Sequence, residues 1–254
     1  MASGGIPGST AAHYSDLLTD AKQPHGDAGT MDRGVSELTT KRLSLYLRLL
    51  AELGEQGVET VSSREMARRC QLNAAQVRRD LATFGEFGVR GVGYRVDELR
   101  QVIEVILGLD RGSGVVIVGA GNLGNALGDY PGFNGQGFEI VALFDVDRDK
   151  VGGETRRGKP IRHVDELRDV VAEAEVEIGI VAVPAASAQQ VVDRLVAAGV
   201  RAILNFAPAR PEVPEGITCR HVDLSVELES LSYVLAGPVT PRRIEQVVRR
   251  IRDE

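Results

Sequence analysis

The sequence is poor in the groups that staple, ligate or anchor a chain. Its 254 residues include no tryptophan, two cysteines and four histidines, and aromatics make up 4%. Cys70 and Cys219 lie far apart with no CxxC partner, which excludes a disulfide framework and the usual zinc spacing. Both read as buried small apolar residues, with a redox-active thiol as the alternative. His13 and His25 fall in a polar N-terminal stretch. Neither His163 nor His221 has a nearby carboxylate at an orienting spacing, so both read as structural and general acid–base chemistry has no evident carrier. No run of 18 apolar residues occurs, and MASGGIPGST lacks a positive segment followed by an apolar one. Neither a membrane span nor a secretory signal is expected, and the expected location is the cytoplasm.

A basic excess is also missing, since the formal net charge is −6. Divided along the chain, residues 36–111 hold 12 Lys/Arg against 11 Asp/Glu, whereas residues 112–254 hold 16 against 21. Arg64, Arg68, Arg69, Arg78 and Arg79 cluster in one short stretch, so a local basic face is expected there. Hydrophobic residues at 43% and charged residues at 26% describe a globular protein with ample core, and the length suits two modest domains.

Residues 1–34 lack apolar periodicity and read as a disordered tail. From Ser36, Leu38, Leu45, Leu49 and Leu53 recur at helical spacing until Gly54 and Gly57. Ser62-Ser63 can cap a second helix through Arg69, and Asn73 a third carrying Val77, Leu81 and Phe84 on one face. EFGVRGVGYRV then reads as a tight hairpin, and a helix over about 97–109 closes the module. This order predicts a winged helix-turn-helix over 35–111. Gln76, Arg78 and Arg79 on the third helix, with Arg90 and Tyr94 on the wing, are the expected DNA-binding residues.

The apolar run Gly114–Val118 leads into Gly119-Ala120-Gly121-Asn122-Leu123-Gly124, a GxGxxG turn between a strand and a helix. A second strand ends at Asp145, 24 residues after Gly121, where a carboxylate can bind the adenosine ribose and repel a 2′-phosphate. This favours NAD over NADP, with Arg148 and Lys150 close by. Strand and helix then alternate: helix 164–174, strand 176–183, helix 185–198, strand 201–205 and a short strand over 218–221. The expectation is an α/β chain with a doubly wound Rossmann domain over 112–222. Gly119, Gly121, Asn122, Leu123, Gly124 and Asp145 are its expected cofactor residues. Pro184, just past a strand end, borders the crevice or simply terminates the strand. No separate substrate module is apparent, so a nucleotide-responsive DNA-binding protein fits better than a small oxidoreductase with an accessory helical domain.

The segments YLRLL, QVRRDLATFGEFGVRGVGY, VGAGNLG, DYPGF, FDVD, AGVRAILNFAP and VDLSVELESLSYVL are similar to those of the Rex family of redox-sensing transcriptional repressors, from about residue 35 to 236. The resemblance implies a homodimer that binds a palindromic operator when NADH is scarce and releases it when NADH rises, with NADH and NAD+ as sensed ligands and no catalysis. It also implies that Arg48, Tyr130 and Asp223 link the domains. Asp223 would start a helix swapped between subunits, with Leu224 beside the nicotinamide and Tyr130 near the cofactor. Residues 223–254 are then a dimerisation helix and an extension. The extension helix, 241–254, carries five arginines and either touches DNA or presents a solvated charged face, the latter being the simpler reading.

Overall fold

The computed structural model describes residues 35–89, 91–237 and 241–253. These fall into two compact units, 35–114 with 130–140, and 115–129 with 141–253. The tail 1–34 and Arg90 lie outside the described residues.

The first unit begins with α1 (Glu37–Glu55), whose N-cap Ser36 accepts a hydrogen bond from the Thr39 N–H at 3.2 Å. Leu43, Tyr46, Leu50 and Leu53 fall on its inner face at helical spacing and are fully buried. A two-residue strand β1 (Thr60–Val61) leads to α2 (Ser63–Arg69), capped by Ser62, and α3 (Ala74–Ala82), capped by Asn73. Both caps accept a first-turn N–H, at 3.1 Å from Glu65 and 2.7 Å from Ala75. Capping of this kind contributes about 1 kcal/mol per helix. Strand β2 (Tyr94–Arg95) and α4 (Val96–Ile106) follow. The expected hairpin takes a different form: β2 pairs antiparallel with β1, Val61 opposite Tyr94, and within the glycine-rich loop the bridge Val89–Gly93 is the one that closes among the described residues. The reason is local. Four glycines between residues 85 and 93 leave too few side chains to hold two paired strands, so the loop hangs from β1.

The second unit carries a six-stranded sheet of β3 (Ser113–Val118), β4 (Phe138–Asp145), β5 (Ile161–His163), β6 (Ile178–Val181), β7 (Ala202–Asn205) and β8 (Thr218–His221). Strand order is β5-β4-β3-β6-β7-β8, and the β3–β6, β4–β5, β6–β7 and β7–β8 pairs are parallel. In order of appearance that is 3-2-1-4-5-6, the doubly wound order with its switch point between β3 and β6. The connecting helices are α5 (Asn122–Gly128), α7 (Leu167–Glu173) and α8 (Ala188–Ala198), with a short α6 (Pro131–Asn134) in the first unit. Val116, Val118, Phe144, Leu167, Val192 and Leu195 form the centre of its core. Two helices end the chain, α9 (Leu224–Ala236) and α10 (Pro241–Asp253). Among the described residues no helix is long and apolar enough to cross a membrane.

Candidate nucleic-acid and dinucleotide sites

Helix α3 carries its apolar side inward through Val77 and Leu81 and leaves Arg78 and Arg79 exposed. Arg78 Nη1 donates to Ser63 Oγ at 3.1 Å. A cavity of about 520 Å³ opens beside it, lined by Ser63, Arg64, Arg78, Val89 and Tyr94 among others. Two guanidinium-bearing residues and a serine hydroxyl on one concave wall suit an anionic backbone. Tyr94 lies half-buried against Gly88, and burial pushes its phenol pKa upward. Of the residues expected to meet DNA, the structure thus brings Arg78 and Tyr94 to one cavity and places Arg79 on the exposed face.

Gln76 behaves differently. Its Nε2 donates to Asp80 Oδ1 at 2.7 Å, and its Oε1 accepts a longer bond, 3.4 Å, from Arg79. Asp80 is 3% exposed and gathers three further bonds: Arg42 Nε at 2.6 Å, Arg42 Nη2 at 2.7 Å and the Tyr46 hydroxyl at 2.8 Å. Burial alone would favour the neutral acid, but the donors of Arg42, Gln76 and Tyr46 outweigh it and hold the carboxyl below its ordinary pKa. Burial and the bond to Asp80 push the Tyr46 phenol upward. The sequence pattern alone places Asp80 with Gln76, Arg78 and Arg79 on the polar side of the helix. Its spacing was the available signal, since it falls three residues after Val77 on the inward face.

In the second unit the glycine loop leaves β3 and enters α5. Gly119 has φ +107°, and a Cβ there would strike the Ala182 carbonyl; a Cβ on Gly124 would strike the Gly119 carbonyl. At Gly121 an added Cβ meets nothing within 4 Å, so the loop is open on that side. The first and third glycines therefore serve packing, and the middle one keeps a space clear. A cavity of about 420 Å³ begins there, lined by Gly119, Gly121, Asp145, Lys150, Pro184 and Arg194 among others.

Asp145, at the end of β4, accepts from the Ala120 N–H at 2.9 Å, the Asp147 N–H at 2.9 Å and Lys150 Nζ at 3.0 Å. Burial opposes its ionisation, yet these donors hold its pKa below the ordinary value. A carboxylate has about four lone-pair positions, so three donors leave room for one hydroxyl. Asn122 and Leu123 open α5, and Leu123 is exposed outside the cavity lining, as is Leu224 at the start of α9. Tyr130 is exposed and meets Phe133 edge-on at 5.0 Å. Arg48 is exposed on α1, and Asp223 Oδ1 caps α9 by accepting from Ser225 N–H at 2.9 Å.

The two histidines with described surroundings both make local bonds. His163 Nδ1 accepts from the Asp165 N–H at 3.3 Å, and His221 Nδ1 lies 3.0 Å from Asn205 Nδ2. Cys70 is fully buried and its thiol is pushed up to about 12, chiefly by burial, so it is held as an unreactive thiol. Helix α9 exposes Leu224, Val226, Leu228, Leu231 and Tyr233.

Two family models match, "CoA binding domain" over residues 110–209 and "Putative DNA-binding protein N-terminus" over 34–82. The redox-sensing transcriptional repressor Rex of Syntrophobacter fumaroxidans is 50% identical over 198 residues, 78% of this chain and 94% of the relative. The Rex of Streptomyces coelicolor is 50% identical over 204 residues, 80% of this chain and 79% of the relative. The chain belongs to the Rex family of redox-sensing transcriptional repressors. Among solved structures, RSP in complex with β-NAD+ and operator DNA aligns at a TM-score of 0.76 with 37% identity, covering 87% of this chain and 98% of RSP. RSP in complex with β-NADH aligns at 0.71 with 35% identity, covering 86% and 99%. RSP is itself described as a Rex-family repressor. Rex membership accounts for both halves of the chain, a helical module and a doubly wound sheet with a glycine loop.

Proposed function

We propose that this chain is a transcriptional repressor that binds operator DNA when NADH is scarce and leaves it when NADH accumulates, without turnover. The observation that carries the reading is the pairing, in one chain, of a three-helix module bearing an exposed arginine face with a glycine loop that opens at Gly121 into a cavity ending on Asp145. The first resembles a DNA reader and the second a dinucleotide holder. The same pairing of ligands is printed for RSP, with operator DNA and β-NAD+ in one complex and β-NADH in another.

In this reading the backbone of Gly119, Gly121, Asn122, Leu123 and Gly124 holds the pyrophosphate, and Asp145 accepts the adenosine ribose hydroxyl. Bound NADH or NAD+ supplies the signal, because the two differ by a hydride and one positive charge at the nicotinamide ring. Pro184 lines the apolar end of the cavity, which favours the neutral reduced ring. Arg78, Arg79, Arg90 and Tyr94 meet the operator. Arg48, Tyr130 and Asp223 are the residues that pass the redox state onward in this reading. The active species is a homodimer paired through α9, because the exposed apolar helix needs a partner and a palindromic operator needs two copies of α3.

Fluorescence anisotropy of a labelled palindromic duplex, titrated separately with NADH and NAD+, tests this. Release by NADH at concentrations where NAD+ leaves the complex intact is expected. Equal release by both, or by neither, would refute redox sensing; a steady loss of NADH absorbance with carbonyl compounds would return the oxidoreductase reading.

A further inference from the structure

Among the described residues of the DNA-binding unit, Asp80 is a buried carboxylate that the reading above leaves without a task. It sits on α3 and is met by donors from two elements: Arg42 and Tyr46 of α1, and Gln76 one turn earlier on α3 itself. Arg42 binds it with two nitrogens, a geometry that fixes direction as well as distance. Tyr46 is itself fully buried, so its hydroxyl is anchored by core packing. Arg42 and Tyr46 are 38 and 34 residues away in sequence, so the cluster ties α3 to α1 in a single orientation. We propose that Asp80 is the positioning residue of the recognition helix, and that it sets the amide of Gln76 for base reading.

The second half of that statement follows from donor and acceptor chemistry. An ionised carboxylate only accepts, so the Gln76 amide must turn its nitrogen toward Asp80. One Nε2 hydrogen is thereby committed. In the proposed arrangement the committed hydrogen is the one trans to Oε1, so that Oε1 and the cis hydrogen stay together as the pair that matches N6 and N7 of an adenine in the major groove. With the opposite turn, two oxygens would face each other across 2.7 Å and that pairing would be reversed. Arg79 reaches the same Oε1 only at 3.4 Å, a bond long enough to yield to a base. Asp80 thus acts through Gln76 and touches no nucleotide.

The inference rests on the operator-binding reading, and the test separates the two. Duplexes are selected from a randomised pool by the full-length chain, and the selected duplex is compared with a scrambled one of equal length for the parent, Tyr46→Phe, Asp80→Asn and Gln76→Ala. Tyr46→Phe keeps the packing and removes a single donor, so it serves where Asp80→Asn loses stability. The expected result is a fall in affinity for the selected duplex of about threefold or more in Tyr46→Phe and about tenfold or more in Asp80→Asn. Scrambled-duplex affinity, salt dependence and NADH affinity should stay at parental values. Selection with Asp80→Asn should lose an adenine preference at the same base pair as selection with Gln76→Ala, because asparagine accepts either turn of the Gln76 amide. Retention of the parental preference by Tyr46→Phe and Asp80→Asn would overturn the proposal. So would a parallel loss on selected and scrambled duplexes, which marks a merely structural role. A parent that selects no duplex would sink the operator reading and this inference with it.

Discussion

At the scale of single residues, two aspartates show how one side chain takes opposite duties. Asp145 holds a lysine beside the open end of the glycine loop, and Lys150 is partly exposed. Replacing Asp145 by alanine removes the ribose acceptor and leaves the Lys150 ammonium, held only by the longer 3.5 Å contact to Asp147, where a 2′-phosphate would lie. NADH affinity is expected to fall about tenfold to a hundredfold, the loss typical of a hydrogen bond to a charged group, while NADPH affinity holds or rises. Calorimetric titration of both nucleotides checks this, and unchanged binding of both would remove Asp145 from the site. Asp80 faces inward, and its folded-state pKa is lowered. A carboxyl lowered on folding stabilises the fold above its unfolded pKa, about 3.9, and loses that contribution as pH falls through the folded value. Urea unfolding should therefore show parent more stable than Asp80→Asn at pH 7 and pH 5, with the gap shrinking below about pH 4. A gap independent of pH would mean that the carboxylate charge contributes nothing.

At the scale of elements, packing demands decide which motifs tolerate change. Gly124 on α5 lies so close to the Gly119 carbonyl that a methyl group cannot enter without moving the loop. Gly124→Ala should cost about 1–3 kcal/mol, as overpacking does elsewhere, and should weaken both NADH and NAD+. Thermal melting and nucleotide titration measure the two effects, and a variant with parental values in both would refute the close-packing role. The helices and inner strands were legible because their signals are local: Ser36, Ser62 and Asn73 cap, and Val115–Val118 run apolar into glycine. Strand β5 was not, since Ile161-Arg162-His163 is a three-residue edge with one apolar member. Nor was the wing's pairing with β1, a choice made between segments over 30 residues apart. The Asp80 cluster stayed hidden for the same reason. A charged residue reads as exposed until a partner from a distant helix is found beside it.

At the scale of the whole molecule, the exposed apolar surface of α9 sets the expected assembly. Leu228 and Leu231 sit one turn apart and are both well exposed. A double change of Leu228 and Leu231 to aspartate should leave a folded monomer in sedimentation equilibrium, with the parent a dimer. Losing the second tethered reader should weaken palindrome binding by about a hundredfold or more, while binding to a single half-site changes little. A parent that sediments as a monomer would sink this assignment.

The strand order also has a consequence for how the protein is made. The sheet is laid down from its middle outward: β3 appears first, β4 and β5 complete one flank by residue 163, and β8 closes the other only at residue 221. The ribosome therefore delivers the glycine loop and the Asp145 strand well before α9 emerges, several seconds earlier at about 5–20 residues per second. Each nascent chain can shape the glycine-loop wall of the nucleotide cavity while still alone, and the sticky helix reaches the surroundings after all six strands, when the sheet that must present it is already standing.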